Sequence, residues 1–447
     1  NILIILVIVS LSIRLFLAFS TPNFTYDSYY DLRQVEHITQ TGTPFFEDPY
    51  SYGGRELIIL PLYHYLTAIF AFFIPLGIAA KLLNNVFFTS LGLVVFLIAQ
   101  KVSKKQRAAL FSAGIAFFLP ITFQTHSFSP LPFALFCLLF CIYYFICARN
   151  EQHSKERIYA YTASLIFLTL SSSIASILII TILFYALFSL LEGQKVLQGE
   201  KEIILFSLFF FLWIQFLLFK NVFLKEGISF IWKNIPQSIL IDYFPALNIQ
   251  EALFLIGFVP LIAGIFFVYS QLLQEKNKNI FLMVSIVIAS FALTALKLIQ
   301  FNIAIAFTGL ALAIIFAPFY DVLVNYYKKS KFMLFEENVN KKTKILLRNK
   351  RFVRISTIII IVLLIPSMVI PSLTFSLQQE IPSQEKVDLF TWIQDNTPKS
   401  SVIAASVQEG HLISYFSKRK NVIDPQFSLI KDVEARYKNI NSIVKAY

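Results

Sequence analysis

The sequence predicts a polytopic α-helical membrane protein, and three observations carry that prediction. The 447 residues are 57% hydrophobic and only 14% charged, whereas a soluble domain is about 25% charged. The apolar excess is bulky, with 49 Phe against 13 Gly. The apolar residues also fall into runs near the roughly 20 residues that a bilayer-crossing helix needs. These features exclude a disordered chain, a fibrous repeat and a soluble multidomain enzyme.

Candidate spans lie at 1–19, 81–100, 108–124, 131–148, 157–171, 173–191, 203–219, 252–273, 280–297, 301–326 and 355–372. The 157–191 stretch is interrupted at Ser171-Ser172-Ser173, which reads as a tight turn whose serines cap the second helix. Basic segments at 101–107, 149–157, 192–202, 274–279 and 327–354 hold more than half of the 38 Lys and Arg. Placed in the cytoplasm, they alternate correctly with the other loops if the apolar run at 58–77 does not cross. That run contains Pro61, His64, Pro75 and Gly77, poor residues for an unbroken lipid-facing helix. The expectation is about eleven spanning helices plus one re-entrant or interfacial helix, with the N-terminus cytoplasmic and the C-terminal tail extracytoplasmic. The alternative is a twelfth span with 20–57 inside. The net charge of +12 is then a property of cytoplasmic loops and does not point to nucleic acid. Cys137, Cys141 and Cys147 share one apolar run and read as lipid-facing or packing residues.

The first loop, 20–57, is the external stretch richest in carboxylates and aromatics. Asp27 can cap a helix from Ser28 to about Gln40, which Gly42 ends and Pro44 prevents from resuming. Asp31 shares a face with Asp27, Arg33 and Glu36 lie on an adjacent one, and Glu47-Asp48-Pro49 reads as a turn before Arg55. Asp27 therefore has two readings: a plain N-cap, or an acid at the membrane surface within reach of a lipid-borne substrate. Loop 220–251 offers Asp242 and Glu251, which read alternatively as residues of an amphipathic surface helix and of the next span's first turn. Arg14, Lys81, Lys297 and Asp321 are the ionisable residues within spans; snorkelling accounts for them. The absence of a mid-membrane acid counts against a transporter or proton pump. No Walker, dinucleotide or HExxH motif occurs. In the tail, 385–396 has helical periodicity, Val402–Ala405 and Asn421–Ile423 read as short strands, and 410–417 reads as helix.

The motif order is D-S-Y-Y-D-L-R-Q-V-E-H-I at 27–38, T-G-T-P at 41–44, D-P-Y-S-Y at 48–52 and P-L-Y-H-Y-L at 61–66. It resembles the first external loop of the oligosaccharyltransferase catalytic subunit family and related GT-C membrane glycosyltransferases. The tail segments 390–406, 409–416 and 419–425 are similar to the start of that family's external C-terminal domain. The resemblance implies a transmembrane domain over 1–372, with the active site on external loop 20–80, and the start of an external α/β domain over 373–447 that continues past Tyr447. It implies transfer of a sugar or oligosaccharide from a polyprenyl-phosphate carrier to an extracytoplasmic protein or glycan acceptor, in the lipid bilayer.

The resemblance makes Asp27 the catalytic carboxylate, organising the acceptor or acting as base. It offers Asp31, Asp48, Glu36, His126, Asp242 and Glu251 as acidic or metal partners. A divalent cation, Mg or Mn, would be held by Asp27 and His126. Arg33, Arg55 and Arg14 would hold the donor phosphate, and Glu409 and His411 would occupy the C-terminal signature. Two departures stand out. The second external loop, 124–130, contains no carboxylate, and Ser406–His411 replaces the family's W-W-D-x-G signature. A GT-C enzyme of unspecified acceptor is therefore preferred over a true N-oligosaccharyltransferase. The alternatives are a non-catalytic flippase or lipid-glycan scaffold, and a transporter.

Overall fold

In lipid a backbone must satisfy its own hydrogen bonds, so long apolar runs become helices. The computed structural model describes residues 1–150, 155–227, 248–274, 277–329, 353–427 and 429–446. Asp242, most of loop 220–251 and most of the basic segment 327–354 lie outside the described residues.

Helices α1 (Ile2–Ala18), α4 (Leu76–Ser103), α5 (Gln106–Phe117), α6 (Leu131–Asn150), α7 (Lys155–Ser171), α8 (Ala175–Leu191) and α9 (Gln198–Glu226) form the first part of the bundle. The short α2 (Ser28–Thr41) and α3 (Leu62–Ala71) lie between α1 and α4. The bundle continues with α10 (Ile249–Ile256), α11 (Phe258–Gln274), α12 (Lys278–Ala295), α13 (Phe301–Lys329) and α14 (Val353–Leu377). Each run expected to span coincides with a helix or, at 252–273, with a broken pair. Among the described residues six helices are long and apolar enough to cross, or seven if α10 and α11 count as one span bent by 95°. This is a polytopic membrane protein, although α1, α5, α7 and α8 are shorter than the sequence expectation of eleven full spans requires. The run at 58–77 contains only a ten-residue helix, α3, about 15 Å long and half the thickness of a bilayer core. Beyond its end Phe73 is 83% exposed, as suits an element lying at the membrane surface.

The core follows α13, in which 83% of the apolar stretch is buried, against 17% in α9. Helices α4, α5, α11 and α12 pack around α13. Cys137, Cys141 and Cys147 are all buried on α6, which packs against α4 and α7, so packing is their role.

Two basic side chains assigned to snorkelling behave otherwise. Arg14 is fully buried and donates to Thr122 O at 2.7 Å and to Phe117 O at 3.2 Å, with Phe123 stacked 4.0 Å away. Helix α5 stops short before Pro120, leaving terminal carbonyls that a cation satisfies. Lys81 is also buried and donates to Ala18 O at 2.7 Å and to Thr21 O, closing the end of α1. The serine turn differs in detail too: Ser172 Oγ accepts from Ile174 N, while no side chain caps α8.

Helix α10 ends at Gly257, whose φ of +86° breaks the span. A Cβ there would collide with Met368 Sδ and Ser367 O. Those two residues lie in a π-turn of α14, Ile365–Val369, and Ser367 Oγ accepts from Val259 N at 3.0 Å. The kink and the π-turn therefore fix each other.

The tail forms α15 (Gln384–Asn396), β1 (Val402–Ile403), a helical stretch over 410–417, β2 (Lys420–Asn421) and α16 (Val433–Ala446). The strands pair in parallel with Val402 opposite Lys420. Ser51 adds a parallel bridge to Asn421, so the first loop joins this small sheet. A second, small core of Ile423, Phe427, Ile430 and Ile440 lies beneath α16.

Candidate active site

Helix α2 starts and stops where its residues dictate. Gly42 takes a left-handed φ of +82° and its N–H closes on Ile38 O. Asp27 stands at the N-cap, but its carboxylate makes no capping hydrogen bond and no ion pair among the described residues. The N-cap reading accounts for its position and leaves its carboxylate unused.

That carboxylate lines a cavity of about 390 Å³ together with Glu251 and Glu380. Thr25, Tyr26, Gln378, Gln379 and Gln408 add polar wall, and Phe254, Leu255 and Phe375 add apolar wall. Four parts of the chain thus converge: the turn before α2, α10 with Glu251 in its first turn, the end of α14 with the residues after it, and the tail segment at Gln408. Helix α10 is capped by Asn248, whose Oδ1 accepts from Gln250 N at 3.1 Å, and its first turn presents Glu251. Glu251 and Glu380 are exposed and, like Asp27, unpaired among the described residues.

The second external loop supplies backbone to this wall. His126 O accepts from Thr25 N at 3.2 Å, His126 N donates to Gln379 Oε1 at 3.0 Å, and Phe128 N donates to Ser28 Oγ at 2.8 Å. The imidazole of His126 is buried, with Nδ1 unpartnered among the described residues. Burial and the nearby Lys81 ammonium push its pKa down to about 4. A neutral ring can ligate a metal, but this one stands beside the Lys81 ammonium and does not line the cavity with Asp27.

The other carboxylates and arginines of the first loop are engaged elsewhere. Arg33 grips Asp48 through two bonds of 3.0 and 2.9 Å, and Arg55 bonds Asp48 at 2.9 Å and Asp424 at 2.6 Å. All four side chains are buried. Burial alone would raise the Asp48 carboxyl; the Arg33 and Arg55 guanidiniums outweigh it and hold the group below its ordinary range. Neither arginine is free to hold a leaving phosphate, and neither is Arg14 in its carbonyl cage. Asp31 is bonded to His64 Nε2 at 2.7 Å and ties α3 to α2, while Glu36 pairs with Lys418 at 2.6 Å.

In the 406–411 segment, Glu409 pairs with Lys386 at 2.7 Å and caps its own turn through Ser406. Lys386 also reaches the Tyr26 hydroxyl at 3.3 Å. His411 is buried 5.4 Å from the Tyr30 ring. Burial pushes its pKa down, against the pull of Asp424 and Asp27. Gln408 is the residue of that segment that reaches the cavity.

Glu380, Gln378, Gln379 and Gln408 were not singled out from sequence. The usable signal was Q-Q-E at 378–380, a polar cluster where the last apolar run ends.

A Mg- or Mn-type ion is held by one or two carboxylates plus substrate phosphate oxygens and water. Asp27, Glu251 and Glu380 offer that hard donor chemistry in one open cavity. No cluster of three or more His, Cys, Asp or Glu able to hold an ion is preformed among the described residues.

The fold is similar to that of solved oligosaccharyltransferase and ArnT structures. No protein-family model and no curated protein matches the chain. Among solved structures it is similar to the apo oligosaccharyltransferase of Archaeoglobus fulgidus, with a TM-score of 0.71 and 14% identity, covering 99% of this chain and 68% of that one. The same archaeal enzyme, AglB, in complex with an inhibitory peptide and a dolichol-phosphate gives 0.70 at 14% identity, with the same coverage. ArnT from Cupriavidus metallidurans bound to undecaprenyl phosphate gives 0.58 at 12% identity, covering 99% and 90%. The archaeal oligosaccharyltransferase has also been solved in complex with Zn and sulfate.

Proposed function

We propose that this chain is a membrane glycosyltransferase that moves a sugar or oligosaccharide from a polyprenyl-phosphate carrier to an acceptor outside the cytoplasm. The observation that carries the reading is the Asp27 carboxylate, unpaired among the described residues and sharing one cavity with Glu251 and Glu380. The fold shared with carrier-bound relatives supports it. On this reading the N-terminus and basic loops are cytoplasmic, and the cavity and tail face the other side.

In the proposed reaction the acceptor attacks the anomeric carbon and the bond from that carbon to the carrier phosphate oxygen breaks. The phosphate leaves with the electron pair, and Asp27 orients the acceptor and takes up its proton. Glu251 and Glu380 border the same space. A bound Mg or Mn ion, held by Asp27 and Glu251, would supply positive charge beside the departing phosphate. Phe254, Leu255 and Phe375 give the cavity an apolar side suited to the lipid end of the carrier.

The test is to incubate the purified protein in lipid with polyprenyl-phosphate sugars and to follow release of the carrier. Release that depends on Asp27 is expected; unchanged release by Asp27→Asn removes that residue from the mechanism. Absence of release by wild type with every carrier offered, together with retained carrier binding, favours a non-catalytic lipid-glycan-binding relative. Labelling of residue 27 from the cytoplasmic side alone refutes the orientation.

A further inference from the structure

A groove between α1, α5 and α14 takes no part in the chemistry above. It has a volume of about 700 Å³. Leu6, Phe111, Ile115 and Ile361 line its walls. Gly114 opens its floor, where an added Cβ would meet no atom within 4 Å. Arg107, in the first turn of α5, and Arg354, near the start of α14, line the same groove. Both are exposed, and neither forms a hydrogen bond or ion pair among the described residues. The neighbouring carboxylate, Asp321, is engaged by Lys105 at 3.2 Å.

The two guanidiniums therefore stand at one end of a long apolar trough. That end is opposite the Asp27 cavity, because α1 and α14 run from the arginines to the cavity side. From Arg354 to Met368 the groove follows α14 for about 21 Å at 1.5 Å per residue. This exceeds the depth of one leaflet, about half of a roughly 30 Å core. Unpaired guanidiniums fit a phosphate through charge-assisted, bidentate hydrogen bonds.

We propose that this groove binds one anionic diacyl phospholipid of the leaflet facing away from the Asp27 cavity. Its phosphate lies between Arg107 and Arg354, and an acyl chain passes over Gly114. The carrier itself is a poor occupant, since a carrier phosphate held by these arginines would be separated from Asp27 by the length of α1, about 25 Å.

The full chain, washed in mixed micelles of phosphatidylglycerol and phosphatidylcholine, is re-purified and its retained lipid is quantified by mass spectrometry. Wild type is expected to keep phosphatidylglycerol in preference to phosphatidylcholine. Arg107→Gln with Arg354→Gln should cut that retention by about tenfold for each guanidinium removed. Gly114→Leu should expel lipid of either kind by filling the floor while both arginines remain. It also tests the site independently if the arginine pair fails to fold. Equal retention of the two lipids by wild type, unchanged retention in either folded variant, or recovery of a polyprenyl phosphate in place of the phospholipid would each overturn the proposal.

Discussion

The Arg33–Asp48–Arg55–Asp424 network and the Asp27–Glu251–Glu380 cavity both draw carboxylates from the same first loop, yet they treat them in opposite ways. Asp48 is fully buried between two guanidiniums, and its charge is spent on fastening α2 and the loop to the tail. Asp27 has no hydrogen-bond or ion-pair partner among the described residues and lines a cavity. A buried, paired carboxylate is a fastener; an unpaired one at a cavity wall is available to a substrate. The number of acids in a loop does not distinguish these roles. Their partners do: Asp48 is held by Arg33 and Arg55, and Arg55 in turn reaches Asp424, 369 positions away.

The comparison can be broken by substituting its two ends. Asp27→Asn should lower carrier release by about 10²–10⁴-fold, the range of general acid–base contributions, while leaving the melting temperature unchanged. Asp48→Asn should do the reverse. It strands the buried Arg33 guanidinium and leaves Arg55 paired with Asp424 alone, a loss of about 3–5 kcal/mol for a broken buried pair. This is measurable as a fall in melting temperature and as faster proteolysis of the tail. A stable, inactive Asp48→Asn protein would erase the distinction.

Acidification sharpens it further. The folded pKa of His126 lies near 4, whereas a free imidazole titrates near about 6.5. Between those values the folded state binds fewer protons, so the stability contribution is complete above about pH 6.5 and is lost as pH falls towards 4. Asp48 and Glu409 are also shifted down and add to the loss below the ordinary carboxylate range. Melting temperature should fall steadily with pH, and His126→Gln should remove the upper part of that fall. The smallest effect belongs to the Lys386–Glu409 pair, whose side chains are 45% and 20% exposed. Lys386→Ala should cost no more than about 1 kcal/mol, and a larger loss in the melting curve would place that pair with the fasteners.

Much of the fold was legible because it rests on local rules. Asp27 and Gly42 bracket α2, Pro61 and Pro75 bracket the short α3, and Gln384–Asn396 is helical as its periodicity requires. What escaped depends on neighbours. Hydropathy gives the depth of Arg14 and Lys81, but not the orphan carbonyls of α5 and α1 that draw them inward. Arg33 and Arg55 were expected on a phosphate because spacing alone does not reveal that Asp48 is buried between them or that Arg55 reaches Asp424. Glu251 was legible as an acid near the end of a loop. Glu380 was not, because a polar residue after a span looks like any loop residue until α14 is packed.

The three acids of the cavity occur at positions 27, 251 and 380. A nascent chain therefore carries its first acid out of the ribosome long before the third exists, and the pocket is assembled only once α14 has inserted. Chains cut anywhere before Glu380 should reach the bilayer as inert intermediates, so that whatever these acids do begins only once α14 is in place.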